Sequence, residues 1–473
     1  MDMYVDGKWA TSPKLIEVIS PYSREVIDTI PDATPQQIEA ALAAAVKGAA
    51  AMARLTAFER SQIMNRAADI LARQVEDIAR TISLEEGKPL FESRGEAGRT
   101  PDIFRLCAFE GAQVRGETLP LDAHVGAAGK MGFTLRVPCG IVVAITPFNY
   151  PLILVAHKVG PALASGNAVI LKPASKTSLT ALKMTKAFLE AGLPENALQC
   201  ITGSGNAVGM ALCSDPRVRK ISFTGSTDVG KKITQVAGIK KLSLELGSNS
   251  PLVVLPDATL SAVADATAVG GYVNAGQVCI STQRVLVHRK VYGDFLDALK
   301  PKVEAIKVGD PLQDDTRLSA MITENAAQRV ENWIGEACQG GARVVTGGKR
   351  ERGVLTPTVV ADVKPQMKIS CDELFGPAVA VTPVETVDEA IALANDSTYG
   401  LGAGIFTNDI KNALRFAREV QSGTVQINWT PLWRADLMPY GGFKESGIGK
   451  EGPRYAVQEM TELKTVVFHG VGA

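Results

Sequence analysis

Pro138-Cys139-Gly140-Ile141-Val142-Val143-Ala144-Ile145-Thr146-Pro147-Phe148-Asn149-Tyr150-Pro151 decides the fold. From Gly140 to Ile145 the residues are apolar without alternation, which suits a short strand buried on both faces. A proline-rich turn closes it, and a helical segment follows to about residue 166. Then come a second apolar run, Ala168-Val169-Ile170-Leu171, Pro173, and a helix over about residues 178–191. Lys220-Ile221-Ser222-Phe223, then Gly225-Ser226-Thr227 and an amphipathic stretch, repeat the unit. Strand, polar turn and helix in succession predict a doubly wound parallel sheet.

Toward the N-terminus, residues 35–90 read as helices, with alanine-rich runs, few breakers and apolar residues at helical spacing. Toward the C-terminus a second series runs from Leu252-Val253-Val254-Leu255 through Arg284-Val285-Leu286-Val287 to Thr424-Val425-Gln426-Ile427. The expected class is α/β: two doubly wound domains, one over 1–120 and 139–244, the other over 245–440. Thr134-Leu135-Arg136-Val137 and Leu463-Lys464-Thr465-Val466-Val467-Phe468 belong to neither series. Exposed strands of that kind invite pairing with another chain. Residues 121–138 and 454–473 are therefore expected to form a small β oligomerisation element, in a homo-oligomer that is a tetramer or dimer.

Lys plus Arg equals Asp plus Glu, 50 each, so no basic excess speaks for a nucleic-acid partner. The 7 cysteines are scattered without a CxxC pair, and the 4 histidines form no HExxH. Neither a disulfide framework nor a metal is expected, and a reducing compartment is. No apolar run approaches the roughly 18 residues of a membrane span, and the first residues carry acids where a signal peptide is basic and then apolar. A soluble, cytoplasmic protein without a membrane partner is expected.

Four local patterns can carry chemistry. Thr146-Pro147-Phe148-Asn149-Tyr150-Pro151 lies at the C-terminal end of a predicted strand, where ligands bind in doubly wound sheets. Phe223-Thr224-Gly225-Ser226-Thr227 opens a helix, and backbone N–H groups there favour a phosphate. Leu244-Glu245-Leu246-Gly247 sets a carboxylate in an apolar run. Asn274-Ala275-Gly276-Gln277-Val278-Cys279 ends in a cysteine. Taken singly, Asn149 reads as a turn or cap residue, the glycines as punctuation, and Cys279 as a small buried hydrophobe. Glu245 resists that reading, because an unpaired carboxylate among leucines is costly unless it works or is paired.

Taken together and in this order, the patterns resemble the aldehyde dehydrogenase superfamily. Lys172-Pro173-Ala174-Ser175, Glu373-Leu374-Phe375-Gly376-Pro377 and Pro439-Tyr440-Gly441-Gly442-Phe443-Lys444-Glu445-Ser446-Gly447 extend the match over nearly the whole chain. The resemblance implies Rossmann-like domains and an NAD(P)-dependent oxidation of an aldehyde to its acid. Cys279 would be the nucleophile, Asn149 and the Cys279 N–H the oxyanion hole, and Glu245 the general base that hydrolyses the thioester. Apolar neighbours would raise the Glu245 pKa toward neutrality. Lys172 is assigned both to catalysis and to the adenosine ribose, and Glu373 to the nicotinamide ribose.

The same resemblance puts Ile145, Thr146, Pro147 and Phe148 beside the nicotinamide and Ser226 on the pyrophosphate. Gly205, Phe223, Gly225, Leu246 and Phe375 complete the expected cofactor set. NAD-preferring members commonly carry an acid where Ser175 stands. Ser175 with Lys176 beside it tolerates or attracts a 2′-phosphate, so use of NAD or NADP is expected. The substrate is expected to be a short hydroxylated or anionic aldehyde: lactaldehyde, glyceraldehyde 3-phosphate, a semialdehyde, or a phosphono- or sulfo-aldehyde. Asn149, Arg105, His157 and Arg434 are its expected ligands; His157 falls where some relatives have Arg. Two alternatives are a CoA-acylating semialdehyde dehydrogenase, against which Glu245 speaks, and a catalytically silent member.

Overall fold

The computed structural model describes residues 1–470. Its centre is an eight-stranded sheet in the spatial order Lys8–Ala10, Met3–Val5, Leu198–Cys200, Ala168–Lys172, Ile141–Ile145, Lys220–Thr224, Lys241–Glu245, Gly447–Ile448. The five strands from Leu198–Cys200 to Lys241–Glu245 run parallel. Ile141–Ile145 is buried on both faces as its composition demands. Val142 and Ala144 pack with Phe104 and Leu152 on one side, and Ile141 and Val143 with Ala41 and Ile221 on the other. The register sets Ile145 beside Lys172 and Phe223, and Thr224 beside Glu245. The carboxyl ends of four strands therefore share one edge, and the residues expected to do chemistry leave from it.

A seven-stranded sheet follows, in the order Arg343–Thr346, Thr358–Ala361, Ala378–Val384, Arg284–His288, Pro251–Val254, Gly402–Phe406, Thr424–Ile427. The chain runs from the carboxyl end of Lys241–Glu245 into the amino end of Pro251–Val254, and this short connection is the seam between the two sheets. Cys279 lies on this seam, between the helix Leu260–Gly270 and the strand Arg284–His288.

The predicted helical region resolves into Pro35–Arg54, Ala57–Arg73, Val75–Glu86 and Leu90–Ala112. Thr34 with Gln37 and Thr56 with Glu59 form reciprocal capping boxes at the first two. No single helix is long and apolar enough to cross a membrane, among the described residues.

The two outlying strands find each other within the chain. Lys130–Pro138 pairs antiparallel with Thr461–His469, Leu135 opposite Lys464, and Thr118–Leu119 adds a third strand. The expected segment over 454–473 also contains the helix Pro453–Glu459, and its residues 471–473 lie outside the described ones. The antiparallel pair Leu15–Ile19 and Val26–Pro31 was not foreseen; it is a short, partly exposed ladder outside both main sheets.

Candidate active site

The turn after Ile141–Ile145 enters the helix Ile153–Ala164, and Asn149 is buried in it. Its Nδ2 donates to the Gln277 carbonyl at 2.8 Å, which leaves the second N–H of the amide unspent. Its own carbonyl accepts from Lys88 Nζ at 2.7 Å and from Asn274 Nδ2 at 3.0 Å. Lys88 in turn pairs with Glu96 at 2.6 Å, both side chains fully buried.

Asn274 and Ala275 sit at φ 50° and 52°, in the left-handed region. Two carboxylates hold that bend: Glu92 Oε2 accepts from the Asn274 N–H at 2.9 Å, and Glu86 Oε1 from its amide at 3.0 Å. Gly276 follows at φ 69°, where a Cβ would stand 2.0 Å from the Gly376 carbonyl. Only glycine lets the cysteine loop close on the segment after Glu373.

Cys279 opens into a cavity of about 600 Å³ that Asn149, His157, Arg434 and Tyr440 also line. Its Sγ lies 3.1 Å from the Tyr440 hydroxyl. Burial pushes the thiol up to about 12, while the Tyr440 hydrogen bond and the Arg434 charge oppose it.

Glu245 ends its strand with neither carboxylate oxygen hydrogen-bonded. A Cβ at Gly441 would stand 2.8 Å from its Oε1, so the Tyr440-Gly441 turn lies against the carboxylate. Burial, and then the charge of Glu451, raises its pKa well above the usual range, as its apolar surroundings predict. Glu451 is paired instead, to Lys158 at 2.7 Å and Arg434 at 3.2 Å. Against the cost of burial, those two cations hold it ionised.

Most of the expected cofactor residues lie along the carboxyl edge of the first sheet, and Glu373 and Phe375 meet it from the segment before Ala378–Val384. Burial lowers Lys172 to about 8, and its ammonium donates to the Pro173 carbonyl at 2.9 Å with donors to spare. Ser175 Oγ donates to the Gly203 carbonyl at 2.6 Å, with Lys176 exposed beside it and Gly205 opening the next helix. Phe223 packs under Gly225, where a Cβ would stand 2.5 Å from the ring. Ser226 caps the helix Thr227–Ala237 without spending its hydroxyl, and Leu246 fills the space against Gly230. Glu373 Oε1 accepts from the Ser248 N–H at 2.9 Å, and burial raises its carboxyl to about 7. Phe148 and Phe375 stand edge to face with centroids 6.0 Å apart. The buried hydroxyls of Thr146 and Thr224, at two strand ends, have no partner. Free donors over a glycine cradle fit a phosphorylated, ribose-bearing ligand.

A model of the aldehyde dehydrogenase family matches residues 9–466. The chain belongs to that family. It is 43% identical to a 3-sulfolactaldehyde dehydrogenase of Priestia aryabhattai, over 99% of this chain and 98% of the relative. A lactaldehyde dehydrogenase of Methanococcus aeolicus is 38% identical over 98% of this chain and 99% of its own length. Among solved structures, the NADP-dependent glyceraldehyde-3-phosphate dehydrogenase of Bacillus halodurans, complexed with NADP, superposes with TM-score 0.97 at 35% identity, covering 99% of both chains. The fold of this family member is accordingly the two-domain, Rossmann-like one.

One of the expected substrate residues needs correction. Arg105 is on the outer face of Leu90–Ala112, tied to Asp69 at 2.7 Å and Asp102 at 2.9 Å, and does not line the cavity. Arg99, nearer the start of that helix, does. His157 lines the cavity, where burial and then the Arg434 charge lower its pKa and its Nε2 meets Asp436 at 3.3 Å. Sequence reasoning missed Tyr440, Lys158 and Glu451, although Tyr440 lay inside a motif already singled out. Nothing in the sequence marks Lys88 and Glu96 as a buried pair.

Proposed function

We propose that this aldehyde dehydrogenase oxidises a short aldehyde carrying an anionic or hydroxylated tail, with NAD or NADP as hydride acceptor. One observation carries the reading: Cys279 and a half-spent Asn149 amide share a single cavity, with an unpartnered Glu245 behind them. The Cys279 thiolate adds to the aldehyde carbonyl. The oxyanion so formed is held by the free Asn149 N–H and the backbone N–H of Cys279, fixed dipoles already aimed where charge develops. A nicotinamide cofactor, which Lys172, Glu373 and Ser226 would hold, would supply the hydride acceptor for this oxidation. Glu245 then takes a proton from the water that hydrolyses the Cys279 thioester. Burial raises the Glu245 pKa above the usual carboxylate range, which favours its taking a proton.

Lys172, Glu373 and Ser226 would hold the cofactor, and Ser175 with Lys176 would accept a 2′-phosphate. Among the residues lining the cavity, Arg434 Nε is buried without an acceptor, and Arg99 meets only Asp436, at 3.3 Å. A carboxylate, phosphate, phosphonate or sulfonate supplies the missing acceptor. The relatives named for sulfolactaldehyde and lactaldehyde support the same size and polarity. The edge strand Thr461–His469 exposes Leu463, Val467 and Phe468, which supports a homo-oligomer, dimer or tetramer, through the small sheet. All seven cysteines are free, which supports the cytoplasm.

The test is a panel of lactaldehyde, glyceraldehyde 3-phosphate, succinate semialdehyde, sulfo- and phosphono-aldehydes and benzaldehyde, followed by reduced-cofactor absorbance with each cofactor. Low KM is expected for the small anionic members. Oxidation surviving in Cys279→Ser would overturn the assignment of the nucleophile.

A further inference from the structure

Burial works against the thiolate that Cys279 needs, so the groups facing the sulfur decide how much of it exists. Among the described residues Tyr440 is the one hydrogen-bond partner of that sulfur, at 3.1 Å. The ring is fixed from two sides. Its backbone exchanges two hydrogen bonds with Glu451, the Tyr440 N–H to the Glu451 carbonyl at 3.1 Å and the reverse at 2.7 Å. The Arg434 guanidinium lies over the ring face at 3.9 Å and is itself tied to the Glu451 carboxylate.

We infer that Tyr440 is a catalytic residue of this enzyme, its hydroxyl donating a hydrogen bond to the Cys279 thiolate and holding it for attack. The inference rests on Cys279 being the nucleophile. The phenol does not lose its proton in this role: its burial and the charge of Cys279 raise its pKa, so it stays a donor when the thiol ionises. A cation over the ring polarises the O–H toward the sulfur. Other charged groups face the sulfur: Glu373 and Glu245 disfavour the thiolate, and Arg434 favours it. The hydrogen bond falls on the favourable side, and an ionised acceptor makes such a bond about twice as strong as a neutral one.

Tyr440→Phe removes one oxygen and keeps the stacked ring. The experiment measures alkylation of Cys279 by iodoacetamide against pH, read at the Cys279 peptide by mass spectrometry, in whole protein without aldehyde or cofactor. In Tyr440→Phe the midpoint should move to higher pH, and the rate at pH 7 should fall roughly tenfold or more, as for loss of a hydrogen bond to a charged group. The deficit should shrink as pH rises, because the variant's thiol then ionises too, and its thiolate is the stronger nucleophile. The acidic limb of kcat/KM should move the same way. An unmoved midpoint overturns the inference, whether or not the variant melts lower, since a packing role does not shift a titration. Activity in Cys279→Ser would instead overturn the nucleophile itself, so the two failures are distinguishable.

Discussion

On one side of Cys279, Lys88, Glu96, Glu86, Glu92 and Asn274 form a buried cluster in which the ammonium has an ionic partner and the bent loop has two acceptors. On the other side, Lys158 and Arg434 both pair with Glu451 and leave Glu245 without a hydrogen bond. Both regions put carboxylates out of water at comparable depth. The first uses them to hold backbone: Glu96 also accepts from the Leu152 and Ile153 N–H groups at 2.9 and 3.0 Å, which seats the helix behind Asn149. The second keeps one carboxylate unpaired, raised in pKa and free to take a proton. A buried acid is scaffold where at least one oxygen holds a neighbour, as in Glu86, Glu92 and Glu96, and machinery where neither does.

Glu245→Gln should break the second region hardest. General-base catalysis is worth about 10² to 10⁴-fold, so steady turnover should fall by that order. The first turnover survives, giving a burst of reduced cofactor in stopped flow. A lost burst would place Glu245 earlier, at activation of the thiol. Stability should move the other way. An acid with a raised folded pKa loses stability as pH climbs above its unfolded value of about 4.3. Gln cannot ionise, so the variant's melting temperature should fall less than the parent's between acid and neutral pH.

Lys88→Met attacks the first region. Removing one partner of a buried ion pair typically costs about 3–5 kcal/mol, because the other charge is left uncompensated. Denaturant unfolding should show a loss of that size, and Lys88→Met/Glu96→Gln should recover part of it. If the single variant unfolds like the parent, the cluster is not the scaffold its geometry implies.

How much of this contrast was legible in advance follows from what a sequence records. The apolar run 141–145 and its successors disclosed the parallel sheet, because burial on both faces leaves no polar residue in a strand. The isolation of Glu245 was visible as a carboxylate among leucines. The pairing of Lys88 with Glu96 was not, since nothing in the order of the residues marks two charges eight positions apart as buried together. Arg105 failed for the converse reason: position along a helix does not tell which face turns inward. Arg99 and Arg105 lie on one helix, yet only Arg99 lines the cavity.

Arg434→Gln sharpens the same contrast at the substrate end. For an aldehyde with an anionic tail, KM should rise by roughly tenfold, the lower end of a charge-assisted hydrogen bond. A neutral aldehyde of equal size should change less, because it never met the unspent Nε. Equal effects on both would mean that Arg434 serves only Glu451 and Tyr440.

The smallest expected effect is at Ser175, outside both clusters. Its hydroxyl donates to the Gly203 carbonyl, and Lys176 stands exposed beside it, so the position is open to water and screened. A glutamate there sets a carboxylate against the 2′-phosphate of NADP, and two charges about 4 Å apart in water repel by about 1 kcal/mol. Ser175→Glu should therefore weaken NADP binding by about fivefold in a fluorescence titration. NAD binding should hold or improve, because the carboxylate then meets ribose hydroxyls instead of a phosphate. Lys172 adds a pH signature: its ammonium, lowered to about 8, is present below that pH and lost above it. Parent NADP affinity should consequently fall as pH rises through that region, and Ser175→Glu should leave this slope in place. If the substitution weakens both cofactors equally, Ser175 does not face the phosphate, and selectivity lies elsewhere along the edge.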